Sequence, residues 1–269
     1  MIIAQISDTH IALDTQDADQ RIEDFDRTIA ALNALDPAPD AIVHTGDIVH
    51  NGRQDEYALA AAILARARAP VYVLAGNKDN RANLHAAFSA CGYLAPESEF
   101  IDYAVEDFPV RLIAVDTLSA GSNKGAFCPE RARRLIGMID AEPSKPIAIF
   151  AHHPPFVVPV GPDPINFETP EMMERLRQAM QHSPRVVASF SGHVHRATAG
   201  NVGDIPATVV PCIATTLRRG EYPAHVKSCP VYYLHRFDPL WGFVTESRIV
   251  GTESSFEIPA AALAARRHA

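Results

Sequence analysis

Ile2-Ile3-Ala4-Gln5-Ile6-Ser7-Asp8-Thr9-His10 runs from isoleucine-rich apolar sequence directly into a small polar tail. An apolar run this short, rich in β-branched residues and cut off by Ser7-Asp8, reads as a buried strand. The period then changes. Ile22, Phe25, Ile29 and Leu32 recur at helical spacing, and Pro37 and Pro39 close that helix. The same cycle repeats along the chain. Ala41–His44 is a strand stopped by Thr45-Gly46-Asp47, and an alanine-rich helix covers about Asp55 to Arg68. Val71–Leu74 is a strand broken at Ala75-Gly76-Asn77, and Arg81–Ala90 is helical. Strands alternating with helices at this pace point to α/β construction.

Further on, Phe100–Val105 and Arg111–Asp116 read as a β pair around Phe108-Pro109, and Pro129–Asp140 is a helix with proline in its first turn. Ile147–Ala151 is a buried strand running into His152-His153-Pro154-Pro155, and positions 154 to 170 hold six prolines with little periodicity. A loop of that length inside a domain is commonly functional. Glu171–Gln181 is a helix, and Arg185–Phe190 a strand ending at Ser191-Gly192-His193-Val194-His195. From Ala207 onward strands dominate: Ala207–Ile213, then Val231–Phe237 and Gly242–Ile249 as a hairpin across Asp238-Pro239. The expected organisation is one domain, with a core over 1–206, a strand-rich completion over 207–258 and a low-complexity tail over 259–269.

Composition narrows the function classes. The 269 residues carry 24 Lys and Arg against 32 Asp and Glu, a net charge of −8, with 47% hydrophobic residues, which excludes disorder and fibrous or coiled-coil classes. The acidic balance argues against a basic nucleic-acid-binding face. Cys91, Cys128, Cys212 and Cys229 form no C-x-x-C pair, which fits a reducing compartment. The first residues lack a basic leader region, and no run approaches a membrane span, so a cytoplasmic protein is expected.

The chemistry lies at the strand ends: Asp8-x-His10, Gly46-Asp47, Gly76-Asn77, His152-His153 and Gly192-His193-Val194-His195. In open α/β sheets the ligand crevice lies outside the carboxyl ends of the strands, so such residues converge although distant in sequence. Asp8 with His10, and His193 with His195, stand two apart, the spacing that puts side chains on one side of an extended chain; Gly192 would let the backbone turn there. Two carboxylates (Asp8, Asp47), one amide (Asn77) and four imidazoles (His10, His152, His193, His195) suit transition metals and are too nitrogen-rich for calcium or magnesium. Seven ligands exceed one ion and suit two sharing Asp47, a centre that generates a hydroxide nucleophile for displacement at phosphorus. Two divalent ions would leave the centre net positive inside an acidic protein.

This ordered series of motifs, spanning residues 1–196, resembles the calcineurin-like metallophosphoesterases. The His152-His153-Pro154-Pro155 block and the strand-rich end look most like its class III cyclic nucleotide phosphodiesterase and glycerophosphodiesterase branch. The resemblance implies a four-layer α/β/β/α sandwich. It implies Asp8, His10, Asp47 and His195 on one metal and Asp47, Asn77, His152 and His193 on the other, the ions being Mn, Fe, Zn or Co, divalent or mixed-valence. The expected reaction is hydrolysis of small phosphodiesters, of the cyclic nucleotide or glycerophosphodiester type, by a metal-bridged hydroxide. The alternatives are a phosphomonoesterase or nucleotide pyrophosphatase of the same fold, or a non-catalytic binding module. No membrane or nucleic-acid partner is expected, and a homo-oligomer stays open.

One departure stands out. The family motif usually reads Gly-Asn-His-Asp or Gly-Asn-His-Glu, where this chain has Gly76-Asn77-Lys78-Asp79. Lys78 is expected to act electrostatically, and Asp79 would help keep its ammonium charged if the two pair. Asn77, Lys78, Asp79 and His153 are therefore the candidate catalytic residues beside the ligands. Other positions carry a plain alternative. Asp8 and Asp47 taken singly could cap helices, and Asn77 could be a turn residue. His44 reads as a satisfied core histidine, whereas His50 and Asn51 could border the site or simply lie in a loop. Arg218 and Arg219 could bind phosphate or form a solvated turn, and Phe156 and Phe167 could line a cleft or pack their loop down. Arg266-Arg267-His268 reads as a solvated tail.

Overall fold

A computed structural model describes residues 1–95, 98–159 and 164–251. The strands and helices in chain order are β1 (Ile2–Ile6), α1 (Ala18–Asn33), β2 (Ala41–His44), α2 (Gln54–Leu64), β3 (Val71–Val73) and α3 (Arg81–Phe88). Then come β4 (Tyr103–Val105), β5 (Arg111–Val115), α4 (Pro129–Asp140), β6 (Ile147–Ala151), α5 (Pro170–Met180) and β7 (Val186–Ser191). The chain continues with β8 (Thr198–Val202), β9 (Ile205–Val209), α6 (Ala224–Lys227), β10 (Val231–Asp238) and β11 (Gly242–Ile249). The tail expected at 259–269 and part of the proline-rich loop, 160–163, lie outside the described residues.

Two sheets form, in the orders β11-β10-β1-β2-β3 and β4-β5-β6-β7-β9-β8. β1, β2 and β3 run parallel, as do β5, β6, β7 and β9, so each sheet presents a row of carboxyl ends to one edge. The alternation of side chains along each strand sorts residues between layers. In β6, Ile147, Ile149 and Ala151 join Leu135, Ile139, Leu176 and Met180 of α4 and α5 in one cluster. Ala148 and Phe150 point the other way, into the cluster that holds β1, β2 and β7 residues and Ile22, Phe25 and Ile29 of α1. Helices thus flank two stacked sheets, the mixed α/β architecture expected.

The helices start where their sequences say they should. Pro129 and Pro170 occupy first-turn positions, where a missing N–H costs nothing. The Thr169 hydroxyl also accepts from the Met172 amide at 3.4 Å and caps α5.

The strands after residue 206 are structural members of both sheets. β10 pairs with β1, bringing Leu234 opposite Ala4, and β9 pairs with β7, bringing Ala207 opposite Ser189. Two details differ from the sequence reading. β8, with Thr198-Ala199-Gly200-Asn201, has only one fully buried position and so carries little apolar signal; its partner β9 makes it a strand. β9 ends at Val209, because Val210 to Ala214 turn inward, where the Ile213 and Ala214 amides donate to Ser7 and Asp8 carbonyls at 2.9 and 3.3 Å.

Candidate metal centre and substrate pocket

The loops leaving β1, β2, β3, β6 and β7 meet at one edge and are laced together through their backbones. The Asp8 amide donates to the Gly46 carbonyl at 3.0 Å, His10 to Asp47 at 3.0 Å and Gly192 to His152 at 3.1 Å. Asp8, His10, Asp47, His193 and His195 have φ of 56°, 45°, 51°, 74° and 56°, and among the described residues no other non-glycine residue has a positive φ. The left-handed region costs such residues roughly 1 kcal/mol each. Five of them in one place mark backbone held in strain by its surroundings.

This corrects the local geometry expected from spacing. Asp8 with His10, and His193 with His195, do not share a direction by strand alternation; left-handed turns aim them inward. Gly192 likewise serves close approach and not a turn. A Cβ there would lie 1.9 Å from Ser7 Oγ and 2.6 Å from Asp8 Oδ2, so only hydrogen lets the two loops touch.

The side chains form two adjoining groups. Asp8, His10, Asp47 and His195 offer ligand atoms all within 4.8 Å of one another, as do His152, His153 and His193. Asp47 stands between them: Oδ2 lies 3.5 Å from His10 Nε2, and Oδ1 lies 3.5 Å from His152 Nε2. Asn77 Oδ1 is 3.1 Å from His152 Nε2 and 2.9 Å from His193 Nδ1.

Two of the rings are held in fixed orientation. His152 Nδ1–H donates to the Thr45 carbonyl at 2.8 Å and His195 Nδ1–H to the Leu217 carbonyl at 3.1 Å. Each bond fixes Nε2 towards the cluster, the usual support of a metal-bound imidazole. Burial would lower both rings, but the Asp47 and Asp8 carboxylates outweigh it, raising His152 to about 9 and His195 above its usual value, so a cation at the cluster would displace a proton from each Nε2. Asp8 Oδ2 accepts from the His193 amide at 3.0 Å, whereas Asp8 Oδ1 is buried with no hydrogen-bond partner. An electron-rich oxygen without a donor, surrounded by imidazole nitrogens, fits a bound cation.

The electrostatics agree. Burial works to raise the Asp8 and Asp47 carboxyls, and the charges of His195 and His152 respectively outweigh it, holding both below the ordinary range. Burial pushes His10 down to about 3, and burial reinforced by neighbouring imidazoles keeps His153 and His193 well below their usual value. All three present neutral rings with available lone pairs.

His153 is fully buried, with Nδ1 2.8 Å from Thr117 Oγ1 and Nε2 unpartnered. Asp79 does not pair with Lys78. It is buried, and its carboxylate accepts from the Gly76 and Ile48 amides at 2.8 and 3.2 Å and from Tyr57 Oη at 2.8 Å. The Lys78 ammonium instead donates to Asn123 Oδ1 at 3.0 Å. Local sequence puts the two residues together, but a buried acid takes the amides of the loop it braces.

The centre floors a cavity of about 440 Å³. Lys78, Asn123, Lys124, Arg196 and Arg219 line it, and among the described residues Asp47 is its one carboxylate. Among these, Asn123, Lys124 and Arg196 escaped the sequence reading; the segments that carry them have no motif of their own. Arg218 is not in the wall, because its guanidinium binds the Val226 and Lys227 carbonyls at 2.6 Å and stacks on Tyr222. His50 packs edge-on against His10, whereas Asn51 braces Asp14 and Glu56. His44 is buried beside Thr9 Oγ1 at 2.9 Å, as a core histidine should be. Phe156 and Phe167 are buried and pack their loop down.

Comparison with known proteins follows the same lines. The family model of the calcineurin-like phosphoesterases matches residues 1–197. A probable glycerophosphodiester phosphodiesterase GpdQ of Arcobacter nitrofigilis is 30% identical over 259 residues, covering 93% of this chain and 94% of that protein. The glycerophosphodiester phosphodiesterase GpdQ of Enterobacter lignolyticus is 32% identical over 248 residues, covering 88% and 87%. A dimetal phosphatase from Danio rerio superposes with a TM-score of 0.69 over 96% of this chain and 98% of that one, at 14% identity, a likeness of fold alone. The matched span holds every strand-end ligand candidate, and the chain belongs to the calcineurin-like phosphoesterase family, whose members use a binuclear metal centre.

Proposed function

We propose that this protein is a metal-dependent phosphodiesterase acting on small diesters, of the glycerophosphodiester or cyclic nucleotide type. The observation that carries the reading is the group of five left-handed Asp and His residues at one sheet edge, with His10 and His195 beside the unpartnered Asp8 Oδ1. Asp8, His10, Asp47 and His195 would hold one ion, and Asp47, Asn77, His152 and His193 the other, with Mn, Fe, Zn or Co suited to this donor set. When bound, the pair supplies Lewis acidity and an activated water for attack at phosphorus.

The chain's own residues do the rest. His152 and His195 are locked by the Thr45 and Leu217 carbonyls, so the donors need no reorganisation. Lys78, anchored on Asn123 at the cavity wall, brings positive charge to the phosphate oxygens. No imidazole stands at this position, so reactivity should depend on the leaving alcohol. His153, braced by Thr117, supports the His193 ring from 4.4 Å. The cavity volume suits a compact diester better than a folded polymer.

The test is hydrolysis of bis-p-nitrophenyl phosphate against p-nitrophenyl phosphate, with added Mn, Zn, Fe or Co and metal analysis of the protein. Diester preference with close to two metals per chain supports the reading. Monoester preference, or less than one metal with no turnover, overturns it.

A further inference from the structure

The pocket wall carries charge that the hydrolytic centre does not use. Arg196 directly follows His195, and the Arg219 amide donates to the His195 carbonyl at 2.9 Å, so both arginines hang from the loop of one candidate ligand. Both line the cavity. Arg196 lies across Gly220, where a Cβ would come within 3.2 Å of its Nε and 3.3 Å of its Nη2. Elsewhere in this acidic protein, Arg21, Arg53, Arg81, Arg134 and Arg236 each hold a carboxylate. Among the described residues, Arg196 and Arg219 have no carboxylate partner. Two guanidinium groups in one cavity without a carboxylate partner remain available to an anion.

A phosphodiester carries a single negative charge at phosphorus, which bound metals and Lys78 would meet. We propose that Arg196 and Arg219 form a second anion subsite, selecting phosphodiesters in which one ester arm bears a further carboxylate or phosphate. This rests on the phosphodiesterase reading of the centre and adds the class of substrate. A cationic arm, such as choline, would face the arginines and be repelled. A neutral arm would gain nothing from them.

The test uses the full chain loaded with Mn and four diesters that share a p-nitrophenyl leaving group. Their retained arms are ethyl, 2-carboxyethyl, 2-phosphonoethyl and choline. The anionic arms should exceed ethyl in kcat/KM by roughly tenfold, through KM and falling with salt, and choline should lie below ethyl. Comparing carboxylate with phosphonate separates the two sources of the second charge. In the Arg196→Gln/Arg219→Gln variant the anionic-to-ethyl ratio should fall towards one, and Arg219→Glu should move the ranking towards choline. Arg133→Gln, on an exposed helix face beside Glu130, should keep the native ratio.

Turnover of the ethyl diester with no preference for anionic arms overturns the subsite and leaves the phosphodiesterase reading intact. Failure to turn over any diester defeats that reading instead. The subsite is then decided by calorimetry on the same protein: 2-carboxyethylphosphonate should bind roughly tenfold tighter than ethylphosphonate. Equal affinities refute the subsite.

Discussion

His10 and His195, 185 positions apart in sequence, face each other ring to ring, Nε2 to Nε2 at 3.0 Å. Asp8 Oδ1 lies 3.7 Å from the first and 3.3 Å from the second. At this distance one Nε2–H donates to the other ring, with the buried Asp8 carboxylate beside both, an arrangement that a shared cation would replace. His10 in addition sits in the left-handed region. Replacing it by Asn, which tolerates that conformation, should leave the metal-free protein within about 1 kcal/mol of native stability. The same change should abolish most of the rise in Tm that the native chain gains on adding Mn, since binding to the folded state alone stabilises by mass action. Thermal melts with EDTA and with Mn measure both. A loss above about 2 kcal/mol without metal would make His10 a packing residue and not a ligand.

Lys78 donates to Asn123 and not to Asp79, so its charge is directed at the cavity. Lys78→Ala should lower kcat/KM for bis-p-nitrophenyl phosphate by about tenfold, the scale of one charge-assisted contact. Lys78→His would restore a group able to protonate a leaving alcohol near neutral pH. The test is a series of aryl diesters graded by phenol pKa. Rates of the native chain should fall steeply as the phenol becomes less acidic, and those of Lys78→His should fall less. Parallel slopes would refute a purely electrostatic Lys78.

Asp79 braces the loops that carry Asp47 and Asn77, accepting from Gly76, Ile48 and Tyr57. Asp79→Asn sets an NH₂ group where an acceptor is needed, at a cost of about 2 kcal/mol in urea unfolding. Tyr57→Phe removes one donor and should cost about half as much. Both should weaken Mn affinity in calorimetric titrations, Asp79→Asn more. Unchanged Mn affinity in Asp79→Asn would show that Asp79 braces the fold without positioning the centre.

How much of this was legible beforehand depends on the range of the interaction. β6 and α4 follow from contiguous apolar periodicity, and the structure has them at the expected residues. The candidate ligands were visible because each stands at a strand end beside glycine, proline or small residues. What failed was everything decided by remote partners. β8 exists only through β9, and Arg218 was lost to the wall because α6 carbonyls capture it. Asp79 could not be separated from Lys78 without knowing that the Tyr57 hydroxyl and three strand-end amides surround it.

His235 on β10 joins the two sheets behind the centre. It is fully buried, stacks on Phe190 at 3.8 Å, and bonds Gln5 Oε1 at 3.0 Å through Nε2. Gln5 Nε2 in turn donates to the Ser191 carbonyl at 3.0 Å, immediately before Gly192-His193. Burial alone pushes His235 down to about 3, so the folded state holds it neutral while the unfolded chain protonates it near 6.5. The unfolded state therefore binds the extra proton between those values, and stability rises with pH across that window. At pH 5 this histidine should withdraw about 2 kcal/mol of the stability present above pH 7. His235→Gln can still donate to Gln5 and cannot titrate. It should be less stable than the native chain at pH 8, with the gap narrowing by about 2 kcal/mol by pH 5. Urea unfolding of the metal-free proteins at the two pH values measures the gap, and the metal-free state keeps metal release out of the comparison. A gap that stays constant would mean that His235 takes up its proton in the folded state, and that Gln5 and Ser191 are not held by a neutral ring.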